Sequence, residues 1–188
     1  MNITKTTIPE VIIIEPKIFG DERGYFFESF NEKVFCEKVI KTDFIQDNEA
    51  KSSYGVLRGL HYQLPPFAQS KLVRVIEGKV LDVAVDIRQE SPTFGKYVSV
   101  ELSGENKRQL FVPRGFAHGY VVLSNEAIFA YKVDNIYSPE SEGSIIFNDT
   151  SLNIDWKIKH EDVILSEKDK ISKNINEVEL FNYKDKLY

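Results

Sequence analysis

Short runs in which apolar and polar positions alternate recur along most of this chain, and a single early stretch shows helical spacing instead. Val11–Glu15 (VIIIE) is a β-branched run closed by Pro16, which predicts a strand and then a turn. Asp21-Glu22-Arg23-Gly24 is a turn signal, and Tyr25–Phe30 (YFFESF) follows as an aromatic extended segment. Asn31 is placed to cap a helix to about Ile40, with Val34, Phe35, Val39 and Ile40 on one broad face. Phe44–Glu49 reads as extended, with Gln46 and Asn48 on one side because strand side chains alternate. Leu72–Ile76 and Val80–Ile87 are predicted strands separated by Glu77-Gly78-Lys79, spaced as a hairpin turn. In the second, Leu81, Val83, Val85 and Ile87 face one way and Asp82, Ala84 and Asp86 the other. Tyr97–Leu102, Gln109–Val112, Ala117–Leu123 and Ala127–Val133 supply further strands. Many short strands with one early helix predict a mainly β fold, an antiparallel barrel or sandwich with a few short helices. One domain over 1–188 is expected, with about 157–188, rich in Lys, Glu, Asp and Asn, wrapped on the barrel as turns or short helix.

Composition narrows the class. A chain of 188 residues can bury a sizeable core, and 42% hydrophobic with 28% charged residues is the balance of a soluble globular protein. Apolar runs such as Val11–Ile14 are too short to span a bilayer, and the start of the chain lacks the pattern of a secretory signal. The single cysteine, Cys36, cannot form an internal disulfide, so the expected location is a reducing cytoplasm. A net charge of −5 argues against general nucleic-acid binding but leaves room for an anionic small molecule held by local arginines and lysines. No G-x-G-x-x-G, P-loop, C-x-x-C or G-x-S-x-G occurs, which disfavours dinucleotide binding, P-loop hydrolysis, a zinc knuckle and a serine hydrolase.

The chemistry centres on Gly55–Lys71, GVLRGLHYQLPPFAQSK, which sets Arg58, His61, Gln63 and Lys71 on apolar-flanked segments joined by a loop with Pro65-Pro66. The chain has only three histidines, and His61 in such a run is a general base, a metal ligand or a hydrogen-bonded core residue. Pro113-Arg-Gly-Phe-Ala-His118 has the P-x-G-x-x-H form of the second cupin motif, with His118 presented inward. A metal-binding cupin also needs an H-x-H pair, and here that place reads His61-Tyr62-Gln63, so no metal is expected. Tyr131 shares a strand face with Phe129, and by itself reads as a core tyrosine whose hydroxyl reaches a partner. Asp169 by itself is an ordinary loop aspartate, and Arg23, Arg58, Lys71 and Lys168 are candidate contacts for an anion.

The motifs gain meaning together. FGDERGYFFESF (Phe19–Phe30), QDN (Gln46–Asn48), VLRGLHYQ (Val56–Gln63), KLVRV (Lys71–Val75), DVAVDIRQESPTFG (Asp82–Gly95), PRGFAHGY (Pro113–Tyr120) and YSPESEGSI (Tyr137–Ile145) occur in this order. Over about Val11 to Asp169 the chain closely resembles the dTDP-4-dehydrorhamnose 3,5-epimerases, cofactor-independent cupins of deoxysugar biosynthesis. The resemblance implies a cupin-type antiparallel β-barrel (jelly roll) and a nucleotide-linked 4-keto-6-deoxyhexose as substrate. It implies His61 as the base, with Asp169 on its other ring nitrogen, Lys71 holding the enolate oxygen and Tyr131 as the acid on the other face. Arg23, Arg58 and Lys168 are implied to contact the diphosphate, Glu28, Gln46 and Asn48 the nucleoside, and Phe26 and Tyr137 to flank the base. His118 and Glu142 are implied near the sugar, with Asp82 behind them, and Gln63 joins the binding set. The resemblance further implies no metal or organic cofactor, and a homodimer with exchanged N-terminal strands in which Arg23 and Glu28 serve the neighbouring site.

Three positions depart from the family pattern: Arg114 where Glu or Pro is frequent, Phe147 where Trp is common, and Lys157 where Pro usually follows the tryptophan. None is an implied catalytic position. The alternatives are a sister epimerase acting at C3 only or on a GDP-linked 4-keto heptose, which would differ around Phe26, Glu28 and Tyr137. More distant are a metal-dependent cupin oxygenase and a sugar-nucleotide binder without activity.

Overall fold

The alternation resolves into two antiparallel sheets laid face to face, seen in a computed structural model that describes residues 1–188. Strands β1 (Asn2–Lys5), β2 (Ile12–Glu15), β3 (Phe19–Asp21) and β4 (Gly24–Phe26) precede helix α1 (Glu32–Lys38). There follow β5 (Gln46–Ser53), β6 (Leu57–Gln63), β7 (Lys71–Glu77), β8 (Lys79–Asp86) and β9 (Arg88–Gln89). Next come β10 (Tyr97–Ser103), β11 (Gln109–Val112), β12 (Phe116–Val122) and β13 (Glu126–Val133). The chain finishes with β14 (Glu142–Ser144), α2 (Glu167–Lys170) and β15 (Phe181–Asn182). One sheet has the order β1-β2-β11-β7-β13-β5 and the other β10-β8-β12-β6-β14, so the jelly roll is two separate sheets and not a closed barrel. No helix is long and apolar enough to cross a membrane.

Between the sheets, Val73, Val75 and Phe129 meet Val80, Ala84, Tyr120 and Val122. The outer face of the five-stranded sheet presents Leu57, Leu81, Val83, Ala117 and Val121. Ile145, Phe147, Leu152, Trp156, Ile175 and Phe181 from the last third of the chain cover it. Strands buried on both faces read as continuous apolar runs, which is why every residue of β12 is buried. Helix α1 closes the other sheet: Asn31 accepts from the Val34 amide as its N-cap, and Phe35 packs on Phe30, Phe44 and Phe111.

One expected turn is a different feature. Glu77-Gly78-Lys79 is not a hairpin, because β7 pairs with β11 and β13 whereas β8 pairs with β10 and β12. The chain changes sheets there. Gly78 has φ +78°, and a Cβ on it would lie 2.1 Å from the Glu126 carbonyl oxygen, so the corner needs glycine. Strands β1 and β14 were not anticipated: neither alternates, and each exists because an apolar neighbour, β2 or β6, offers a register.

A bulge in the β6–β12 pairing places the site. His61 pairs with His118, but Tyr120 pairs with Arg58, and the register shifts between them. Strict alternation sends residues three apart to opposite faces, so the shift is what lets Arg58 and His61 both face inward. Two glycines make room: a Cβ on Gly59, at φ +128°, would lie 2.5 Å from Gly119 Cα, and one on Gly119 2.8 Å from the Arg58 oxygen.

Candidate active site

A cavity of about 300 Å³ opens between the sheets. Arg58, His61, His118 and Tyr120 reach it from the five-stranded sheet, and Lys71, Phe129 and Tyr131 from the six-stranded one. Ser166, Lys168 and Asp169, in and beside α2, close one side.

His61 Nε2 lies 2.6 Å from Asp169 Oδ1. Burial pushes the Asp169 carboxyl up, but hydrogen bonds from His61 and Ser166 outweigh it and hold the group below the ordinary carboxylate range. An ionised carboxylate only accepts, so Nε2 carries the proton and Nδ1 is left as the basic nitrogen. Ser166 is doubly placed: its hydroxyl donates to Asp169 Oδ2 at 2.7 Å and accepts from the Asp169 amide as the N-cap of α2.

The second histidine is also backed by a carboxylate, but lies deeper. His118 Nε2 sits 2.9 and 3.0 Å from the two Asp82 oxygens. Burial lowers the His118 pKa, with Asp82 opposing in part. Lys71 has no ion-pair partner, and burial brings its ammonium down to about 8 against the pull of Asp82 and Glu142. Asp134 seats the start of its strand by accepting from the Ser70 amide at 2.6 Å. The Tyr131 hydroxyl has no protein partner, unlike that of an ordinary core tyrosine, and burial raises its pKa with Arg58 opposing. The phenol therefore stays protonated through neutral pH.

The profile of the dTDP-4-dehydrorhamnose 3,5-epimerase family matches residues 5–177. The chain is 61% identical over 170 residues to the dTDP-4-dehydrorhamnose 3,5-epimerase of Shigella flexneri, covering 90% of this chain and 93% of that one. It belongs to this family.

Solved dTDP-4-dehydrorhamnose 3,5-epimerase-like structures superpose closely. That of dTDP-6-deoxy-D-glucose-3,5-epimerase from Legionella pneumophila, in complex with dTDP-4-keto-L-rhamnose, has a TM-score of 0.94 at 54% identity, covering 98% of this chain and 99% of that one. ChmJ, a 3'-monoepimerase from Streptomyces bikiniensis in complex with dTDP-quinovose, has a TM-score of 0.88 at 31% identity, covering 96% and 93%.

Of the residues that the likeness to the dTDP-4-dehydrorhamnose 3,5-epimerases singled out, His61, Lys71, Tyr131, Asp169, Arg58, His118 and Lys168 surround the one cavity. Glu142 pairs with Lys168 and accepts from the Tyr137 hydroxyl at 2.7 Å, which brings β14 to the α2 side. Gln46 and Asn48, joined at 2.8 Å, continue the β5 face that presents Ala50 to the cavity. Gln63 is placed otherwise. Its Nε2 donates to the Phe67 and Ile136 carbonyls and its Oε1 accepts from the Ser138 amide, so this buried amide pins two loops and does not line the cavity. Arg23, Phe26 and Glu28 do not reach it either: Arg23 pairs with Asp21, Phe26 is 69% exposed and Glu28 accepts from Asn31. Sequence reasoning missed Ser166 and Tyr120. The Ser-x-x-Asp spacing of a capped turn could have flagged the first, whereas the second lay unweighed inside the PRGFAHGY motif.

Proposed function

We propose that the chain epimerises C3 and C5 of dTDP-4-dehydro-6-deoxy-D-glucose to give dTDP-4-dehydro-L-rhamnose, removing and returning protons through an enolate. The observation that carries the reading is a carboxylate-backed imidazole on one sheet facing an unpartnered phenol on the other across a single cavity. C3 and C5 both flank the C4 carbonyl, so one base and one oxyanion site serve both centres. His61 Nδ1 takes the proton, and Asp169 fixes the tautomer and stabilises the imidazolium. Lys71 holds the developing charge on O4, where a fixed cation is most effective. Tyr131 returns a proton from the opposite wall. Arg58 and Lys168 take the diphosphate. The complex of the Legionella relative with dTDP-4-keto-L-rhamnose supports this substrate, and the 54% identity there against 31% for the 3'-monoepimerase favours action at both carbons.

The test is proton NMR of the dTDP-linked 4-keto sugar in deuterated water with enzyme added. Loss of both the C3 and C5 proton signals is expected. Exchange at C3 alone would reassign the protein as a single-site epimerase, and none at either carbon would sink the reading.

Lys71 gives a pH prediction. It acts as a cation, so kcat/KM is expected to fall about tenfold per pH unit above pH 8, with no such limb in Lys71→Met, whose residual rate is low throughout. The same group has a stability sign. Its folded pKa lies below its unfolded one, so the unfolded chain binds the extra proton between about 8 and 10.5 and stability rises with pH through that window. Below pH 8 the cost of the buried cation is fully present. Lys71→Met is therefore expected to raise stability at pH 7 by on the order of 1–3 kcal/mol, read by urea denaturation.

Two copies are proposed to pair. The β3–β4 hairpin carries Phe19, Tyr25 and Phe26 at 53, 60 and 69% exposure, an aromatic patch suited to a partner surface. Arg23 and Glu28 beside it would then complete the neighbouring copy's site. Sedimentation velocity at twice the monomer mass is the expected result, and a stable monomer would exclude it.

A further inference from the structure

Tyr120 is 4% exposed, and its hydroxyl has no hydrogen-bond partner. The other buried side-chain atom without one, Arg114 Nε, at least lies 3.2 Å from Asp134 Oδ2 in an ion pair. Tyr120 has nothing. Its ring stacks on Phe129 at 4.0 Å and 15°, a contact that phenylalanine would make equally well. A buried hydroxyl without a partner costs stability, so the phenol is unexplained by packing.

The neighbours define what is missing. Across β12–β6 the register partner of Tyr120 is Arg58, and across β12–β8 it is Asp82. Both Asp82 oxygens already face His118. Ser52 Oγ accepts from Arg58 at 3.2 and 3.3 Å. What remains is a donor inside the cavity, beside a guanidinium whose own charge is unpaired in the protein. A group that accepts from both is an anion carrying several oxygens.

We propose that the Tyr120 hydroxyl donates a hydrogen bond to a non-bridging oxygen of the sugar-linked phosphate, the one that Arg58 holds. The inference rests on the reading of Arg58 as a diphosphate contact. It adds a neutral, directional donor to that site and gives the orphaned hydroxyl its partner on binding.

The test is calorimetric titration of the full chain with dTDP and with dTMP, which lacks the phosphate in question. Tyr120→Phe is expected to weaken dTDP about tenfold, to leave dTMP unchanged, and to melt no lower than wild type. Affinity for dTDP equal to wild type would overturn the proposal, as would an equal loss for both nucleotides, which would mean a distorted cavity. Arg58→Gln separates this failure from that of the underlying reading. If Arg58→Gln weakens dTDP and Tyr120→Phe does not, only the Tyr120 assignment falls. If Arg58→Gln binds dTDP normally, the diphosphate reading falls and the Tyr120 assignment with it.

Discussion

His61→Asn is expected to cut deuterium incorporation at C3 and C5 by about 10³-fold or more, with dTDP affinity nearly unchanged. The expectation follows from the proton count on the ring. Asp169 is held ionised and can only accept, so it fixes the hydrogen on Nε2 and leaves the Nδ1 lone pair for the substrate. Asparagine keeps an N–H for Asp169, and so avoids stranding a buried charge, but has no basic nitrogen. The phosphates are proposed to be held by other residues, Arg58 and Lys168, so binding should survive. The rival base in the cavity is His118, and it is the weaker candidate because burial depresses its pKa. Exchange at the wild-type rate in His61→Asn would transfer the role to it. The two readouts are NMR exchange and calorimetric titration of the same preparation.

Tyr131→Phe is expected to separate two events that wild type couples. In the proposed mechanism proton abstraction depends on His61 and Lys71, so deuterium should still enter the substrate at an appreciable rate. Net inversion should drop by about 10²-fold, because reprotonation would then come back from the His61 side and restore the original configuration. The geometry behind this is the sheet assignment: His61 stands on β6 and Tyr131 on β13, in opposite sheets. Following isotope content and stereochemistry in one NMR time course decides it. If inversion proceeds at the wild-type rate, Tyr131 is a packing residue and the acid lies elsewhere.

Much of this was legible in the sequence, and the remainder has a physical reason for being hidden. Alternation gave β10 and β13, and short apolar runs gave β11 and β12, each to within a residue or so, because each strand has at least one buried face to declare. The cap of α1 was equally plain, since Asn31 acts on an amide three residues away. What alternation does not encode is the partner of a strand. Glu77-Gly78-Lys79 looks the same whether the chain turns back on its neighbour or passes to the other sheet, and only the β7 and β8 ladders distinguish the two. The site shows the same limit. His61 stood out as one of three histidines, yet its partner lies 108 positions away in a segment with no pattern. The resemblance linked them, and the fold brought Ser166 along. Gln63 looked like a binding residue because it shares the strand with His61, but the loops that consume its amide are distant in sequence. Lys71 carries no local hint of its lowered pKa, which arises only once the sheets enclose it.

The bulge at Gly59 behaves like a frameshift in a reading frame of two. Upstream of it even-numbered β6 positions face the other sheet, and downstream odd-numbered ones do, which is how Arg58 and His61 come to share one wall of the cavity. Straightening the strand while keeping two residues between them would do more than remove a kink: it would put the arginine and the histidine out of phase, turning one toward the buried outer layer. The spacing Arg-x-x-His, with glycine next to the arginine and a second glycine opposite, is thus the sequence imprint of the bulge itself. The two glycines and the two-residue spacing are therefore one feature, and a side chain on either glycine would undo it.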